Sequence, residues 1–499
     1  MTSKHEQSPE QVGPDTVQNY VGGEWVSARG GEEHPVIDPA TKESLATITF
    51  SDAETVDEVV QTAEGAFEEW RATPPGERVQ YLFALKQELE DRQEDIARAL
   101  TREHGKTLDE ARGEVRRGIE NVEVAAGIPN MLREGSGNVE GVAPDMDEFA
   151  IRQPLGVFTA ISPFNFPAMI PLWFLPYAVA TGNTFILKPS EKVPLSSQLI
   201  FEAVDAVDFP DGVVNLVNGG ADTVNALLEH DDIEGVSFVG STPVAQHVYQ
   251  TAAEHGKRVQ AQGGAKNYIV VTDEAELSEA VPNILGSVYG NAGQRCLATD
   301  VVVGVGDVYD ELKAEILDGV DELVVGNGLD EETDIAPLIT AESTERVTGM
   351  VEAAVEEGAE LVVDGRDFTH PDYPDGNFLG PTVLTGVTTD MDIAQTEVFG
   401  PVLCLARSEN LDDAIEMVNS TEYGNASTLY TENGAQARKY RYEVEAGNIG
   451  INVGVAAPMG FFHFGGRKAS FFGDLHAQGE DAVNFYTDKT ITIERYYGT

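Results

Sequence analysis

Five short runs constrain this chain's architecture more than any other feature: "GVFTAIS" at 156–162, "NTFILKPS" at 183–190, "GVVNLVNG" at 212–219, "GVSFVGS" at 235–241 and "YIVVTD" at 268–273. Each is apolar at consecutive positions instead of alternating, the pattern of strands covered on both faces. Helix-type stretches at 167–181, 193–206, 222–229 and 243–255 separate them. Strands alternating with helices close as a parallel sheet with right-handed crossovers, so the expected fold class is α/β, with a doubly wound, dinucleotide-type sheet.

The flanking regions read differently. From about Ser51 to Leu132 apolar residues recur at three- and four-residue intervals, with acids on the other face, which predicts amphipathic helices. A second α/β series runs from about Cys296 to Gly460 and includes "DVVVGV", "AELVVDG" and "PVLCLAR". At 499 residues the chain exceeds what one core organises, so several substructures are expected. The stretch 164–187 is long and apolar enough to suggest a membrane span, but Pro167, Pro171, Pro176 and the break at "TGN" favour a buried helix followed by a buried strand.

With 85 acidic and 32 basic residues, the chain carries a formal charge of −53. A field of that sign repels nucleic acid and anionic membranes, so neither is an expected partner. The acid is spread along the whole chain, and its self-repulsion is screened only at high ionic strength. That points to a salt-rich cytoplasm. The two cysteines, Cys296 and Cys404, suggest no disulfide framework, and Cys404 reads as core filler.

Several chemistries drop out. There is no HExxH, no Cys-x-x-Cys and no histidine cluster with metal spacing, so no metal is expected. "GVSFVG" has Val239 where a nucleophile elbow needs its second glycine, and "HGKT" lacks the upstream glycine of a P-loop. No strand is followed by G-x-G-x-x-G. What remains is an anion site of another kind. Ser241 and Thr242 are suitable N-caps ahead of Pro243, so a helix N-terminus follows a strand end, while Lys188, Glu191 and Lys192 leave a second strand end. Capping and surface charge are the plainer readings of these two features. Cys296 directly follows Arg295, a cation that favours the thiolate.

Five motifs, "PFNFP" at 163–167, "ILKPSE" at 186–191, "FVGST" at 238–242, "GQRC" at 293–296 and "EVFGPV" at 397–402, stand in the order of the aldehyde dehydrogenase superfamily, which the whole chain resembles. "GIENVEVAAG", "RVQAQGGAKN" and "APMGFFHFGGRKASFFG" bring it closer to the CoA-acylating methylmalonate-semialdehyde dehydrogenase group. The resemblance implies Cys296 as nucleophile and Asn165 as oxyanion donor. For NAD it implies Ser162 and Phe164 along the cofactor path, Lys188 and Glu191 on the adenosine ribose with Lys192 beside them, Ser241 at the pyrophosphate, Gly263 near the nicotinamide, and Glu397 on its ribose. Arg295 and Arg117 would receive a substrate carboxylate. It further implies a dimer or tetramer, an NAD-binding domain of 17–135 and 156–261, a catalytic domain of 262–462, and an oligomerisation segment of 136–155 with 463–499.

One position departs from most of the superfamily. Where a Glu-Leu-Gly-Gly-Lys motif supplies the base that activates water, this chain has Gln262-Gly263-Gly264-Ala265-Lys266. An amide has no titratable carboxylate, and losing general-base help costs about 10²–10⁴ in rate. A better nucleophile, the thiolate of coenzyme A, then suits the second step. The expected reaction is NAD-dependent oxidation of methylmalonate or malonate semialdehyde to propionyl-CoA or acetyl-CoA with release of CO2. A nonacylating dehydrogenase of succinate or 2-oxoglutarate semialdehyde is the alternative, and a silent scaffold on the same fold is a third reading.

Overall fold

The computed structural model describes residues 13–29, 31–133 and 137–497. Its first large sheet has a five-stranded parallel centre in the order Arg258–Gln262, Ile233–Val239, Val157–Ile161, Thr184–Lys188, Val214–Leu216. The chain enters at Val157–Ile161, winds outward on one side, then returns to the other. The order therefore reverses between Val157–Ile161 and Ile233–Val239, which opens a crevice at the carboxyl ends of the strands. Antiparallel strands, Phe471–Gly473 on one side and Asn19–Val21 followed by Glu24–Val26 on the other, close the edges.

Four of the five apolar runs lie in this sheet. The fifth, Asn267–Val271, lies in a second sheet of seven strands with Glu360–Val363, Thr382–Thr385, Val402–Ser408, Thr299–Val305, Ala426–Tyr430 and Asn448–Ile451, antiparallel only at Glu360–Val363. The strand that takes its place in the first sheet is "RVQAQ", whose polar residues hid it. Gln260 is fully buried, and its amide donates to Ser237 Oγ at 2.8 Å, so the sheet tolerates it. Cys404 is fully buried in the second sheet, the core position read from its sequence.

Pro171–Thr181 is a helix buried at every position, and Thr184–Lys188 is a strand buried at every position, the arrangement expected for the apolar stretch. Among the described residues no helix is long and apolar enough to cross a membrane. The helix begins later than the expected residue 167, because 164–170 are spent on turns that carry Asn165. The helical region after Ser51 forms Ala53–Ala72, Pro75–Asp91, Gln93–His104 and Leu108–Ala125. These pack with Pro171–Thr181 on the first sheet through Trp70, Leu82, Leu100, Ile119 and Phe174.

A third, smaller sheet is antiparallel. Thr487–Arg495 pairs with Met146–Pro154, which pairs with Asn138–Ala143. The run 463–499 is thus divided: Phe471–Gly473 completes the first sheet, whereas Thr487–Arg495 forms an edge of the small one, with Ile491 and Ile493 exposed.

Candidate active site

Cys296 follows a tight turn at Gly290–Gly293 in which Asn291 (φ 54°) and Ala292 (φ 51°) adopt left-handed backbone. Such conformations are costly for side-chain-bearing residues and need support from the surroundings. Amides supply much of it. Asn165 Nδ2 and Asn291 Nδ2 each donate to the Gln294 carbonyl at 3.1 Å. Asn267 Nδ2 and Asn425 Nδ2 donate to the Cys296 carbonyl at 2.9 and 2.7 Å. The Asn291 N–H donates to Glu110 Oε1 at 2.6 Å. The loop that carries the thiol is therefore held by its own Asn291 and by side chains from four other parts of the chain.

Two cavities meet at this cysteine, and among the described residues it is the one lining both. The first is a cleft of about 720 Å³ along the carboxyl ends of the first sheet. Ser162, Phe164 and Asn165 line it from the loop after Val157–Ile161, and Lys188, Glu191 and Lys192 from the loop after Thr184–Lys188. Ser241, Gly263 and Glu397 complete the set expected from the sequence. Lys188 Nζ lies 3.3 Å from Glu191 Oε2. Burial holds the Lys188 ammonium below its usual range; burial also opposes the Glu191 carboxylate, but Lys188, its own backbone and Lys192 keep it low. Both groups are thus poised as charged hydrogen-bonding partners.

The cleft fits a dinucleotide on three counts. Ser162 Oγ is buried without a protein partner. Ser241 caps the helix Thr242–Glu254 by backbone only, with no side-chain cap bond, while Pro243 lies in its first turn. A Cβ on Gly264 would come within 2.8 Å of Glu397 Oε2, and one on Gly263 within 2.8 Å of the Ala469 carbonyl, so only glycine fits at these two positions of the cleft lining. The Glu397 carboxyl is pushed up to about 8, chiefly by burial and then by Asp300, against the pull of the Ala265 N–H, Lys266 and Arg346. Asp300 itself is paired with buried Lys266 at 3.1 Å.

The second cavity, about 230 Å³, is a funnel lined by Arg117, Arg295, Phe166, Trp173 and Phe464 among others. Both arginines reach it, but neither is unpaired. Arg295 Nη2 lies 2.6 Å from Glu110 Oε1; Arg117 lies 3.0 Å from Glu120 Oε2 and donates to the Pro458 carbonyl at 2.9 Å. Sequence alone gave no sign of Glu110 and Glu120, because acids on a solvated helix face look alike. Deeper, Lys106 Nζ donates to Glu114 Oε2 at 2.6 Å and to the Asn165 carbonyl at 2.7 Å, and so anchors the loop that presents Asn165.

Arg295 pulls the Cys296 thiol down, the direction expected of a neighbouring cation, but it does not decide the outcome. Burial pushes the Cys296 thiol up to about 12, the Glu397 charge adds to the rise, and Arg295 pulls down too weakly to win. Its guanidinium charge is largely answered by Glu110, 2.6 Å away. Asn165 uses one N–H on Gln294; its second has no protein partner among the described residues, which leaves a donor for an oxyanion. Gln262 is buried, with neither amide atom hydrogen-bonded to protein.

Comparison with known proteins agrees with this geometry. The aldehyde dehydrogenase family model matches residues 25–491. A malonate-semialdehyde dehydrogenase of Geobacillus kaustophilus is 46% identical over 97% of this chain and 100% of its own length. The crystal structure of a methylmalonate-semialdehyde dehydrogenase from Oceanimonas doudoroffii superposes with a TM-score of 0.95 at 40% identity, covering 97% of this chain and 99% of that one. A Sinorhizobium meliloti protein solved with NAD gives a TM-score of 0.94 at 39% identity, over 97% and 98% of the two chains. The chain belongs to the aldehyde dehydrogenase family.

Proposed function

We propose that the protein oxidises malonate or methylmalonate semialdehyde with NAD and transfers the acyl group to coenzyme A, releasing CO2. The observation that carries this reading is Cys296 at the junction of a dinucleotide-sized cleft and a funnel holding two arginines. The aldehyde enters with its carboxylate toward Arg295 and Arg117, whose planar forks match it bidentately. Cys296 gives up its proton to solvent as Sγ adds to the carbonyl carbon, and the free Asn165 N–H stabilises the resulting alkoxide. Bound NAD supplies the hydride acceptor. Collapse of the alkoxide then leaves a thioester on Cys296.

Gln262 decides the second half. With no carboxylate there to activate water, the thioester survives until the CoA thiolate displaces Cys296. Malonate-semialdehyde dehydrogenase is what relatives at 43–46% identity are named, which supports the substrate class. Glu191 supports NAD over NADP, since its charge repels a 2′-phosphate. The exposed edge strand Thr487–Arg495 supports a dimer or tetramer, and the charge of −53 supports a salt-rich cytoplasm. In this reading 17–135 with 156–261 binds NAD, 262–462 carries the chemistry, and 136–155 with Thr487–Arg495 makes the subunit contact.

Single-turnover kinetics test it. Without CoA, a burst of NADH equal to the Cys296 content precedes slow turnover. Adding CoA raises the steady rate about tenfold or more. Full-speed turnover without CoA, yielding free acid, overturns the acylating assignment in favour of the nonacylating one.

A further inference from the structure

Away from the catalytic centre, the segment 460–481 doubles back on itself. The Phe464 N–H donates to the Ala477 carbonyl at 2.9 Å and the Gly479 N–H to the Gly460 carbonyl at 3.2 Å. This backbone pairing sets His463 beside His476 and Asp481, whose ligand-bearing atoms all fall within 4.8 Å of one another. Their spacing along the chain matches no metal-site pattern, so only the fold reveals them.

We propose that His463, His476 and Asp481 form a binding site for a divalent cation of the zinc type. His476 Nδ1 and Asp481 Oδ2 are 3.4 Å apart. Ligands on a tetrahedral ion with bonds of about 2.0–2.1 Å are separated by about 3.3 Å, so these two need little movement. The other nitrogen of His476, Nε2, faces the Gly466 carbonyl at 3.1 Å. Metal-ligating histidines are fixed by that kind of second hydrogen bond, here leaving Nδ1 for the ion. Phe471 stacks on the same ring at a centroid distance of 4.0 Å and locks its plane. His463 is exposed and its ring centroid is 5.2 Å from that of His476, so it can swing in as the third ligand. Two imidazoles and one carboxylate leave a fourth position for water. The site does not depend on the function proposed above. It does bear on the funnel, because Phe464 and Gln478, which line it, lie within two residues of the ligands.

The test uses the full chain carrying Cys296→Ala, stripped of metal by chelation and titrated with Co²⁺ in about 1 M KCl, where the Debye length of roughly 3 Å suppresses loose binding to surface acids. Retained NAD binding confirms the fold. The expected result is one cobalt per chain, with the visible absorption of a tetrahedral nitrogen–oxygen site and no thiolate charge-transfer band. Zinc should displace the cobalt and raise Tm. His463→Ala, at an exposed position, and Asp481→Asn should each weaken binding about tenfold or more and remove the Tm rise. Absence of stoichiometric binding, or binding as tight in His463→Ala as in its parent, overturns the proposal.

Discussion

In the cofactor cleft, the ligand-facing groups stand at the ends of parallel strands, and two hydroxyls there are unused: Ser162 Oγ has no protein partner, and the Ser241 side chain makes no cap bond. In the funnel, the polar groups come from helix sides and nearby loops, and each guanidinium is already matched by a carboxylate. The cleft is thus set to take a ligand into vacant hydrogen bonds, whereas the funnel must exchange one anion for another. A site of the first kind gains from each contact; a site of the second kind selects by a difference between two anions. The lesson is that affinity resides in the cleft and discrimination in the funnel.

Removing the point where the two cavities meet has the largest effect. Cys296→Ala should lower kcat by on the order of 10⁴-fold or more and erase the NADH burst, with the Kd for NAD from nucleotide fluorescence unchanged. Weaker NAD binding in that variant would show that the cavities are not separable. Asn165→Ala should cost about 10²–10³ in kcat with little change in NAD affinity, as for an oxyanion donor, in stopped-flow NADH formation.

Arg295→Lys sharpens the contrast itself. It should reduce kcat/KM for a carboxylated aldehyde by about 10–100-fold, while propanal loses far less. Equal losses for both would mean that Arg295 only braces the Cys296 loop. Glu110→Gln, which removes the competing anion, should lower KM for the carboxylated aldehyde; a raised KM would refute the exchange.

The smallest effects are in the titrations. Because burial holds the Cys296 thiol near 12, alkylation of the free enzyme by iodoacetamide should accelerate about tenfold per pH unit from neutral pH upward. A plateau near neutrality would reveal a resting thiolate. Burial and Asp300 raise the Glu397 carboxyl from its ordinary 4.5 to about 8, so the folded state holds its proton more tightly than the unfolded chain. Its stability contribution is therefore complete below about 4.5, and it is lost as pH rises through about 8. Glu397→Gln should flatten the fall in Tm between those values.

The sheets were legible where strands are apolar on consecutive positions and illegible where they are not. "RVQAQ" hides its burial behind polar residues, of which Gln260 finds its partner only across the sheet, and periodicity cannot say that "YIVV" belongs to a different sheet from "GVSF". All twelve site residues read from motifs line one of the two cavities, because family motifs lie at strand ends and in tight turns. Glu110, Asn267 and Asn425 escaped notice because their roles depend on segments far away in sequence. The burial of the thiol escaped notice for a related reason: Arg295 is adjacent in the chain and pulls as expected, but burial is set by the whole fold.

The pairing of Met146–Pro154 with Thr487–Arg495, and of Arg258–Gln262 with Phe471–Gly473, ties early parts of the chain to its last ones. On the ribosome, the first sheet therefore waits with an open edge until Phe471–Gly473 is made, and the small one until Thr487–Arg495 is made. Non-local closure of this kind is slow, and an unpaired edge invites pairing with a neighbouring nascent chain. A chain that stops before Phe471 would thus be released with two unfinished sheets, a natural client for chaperones.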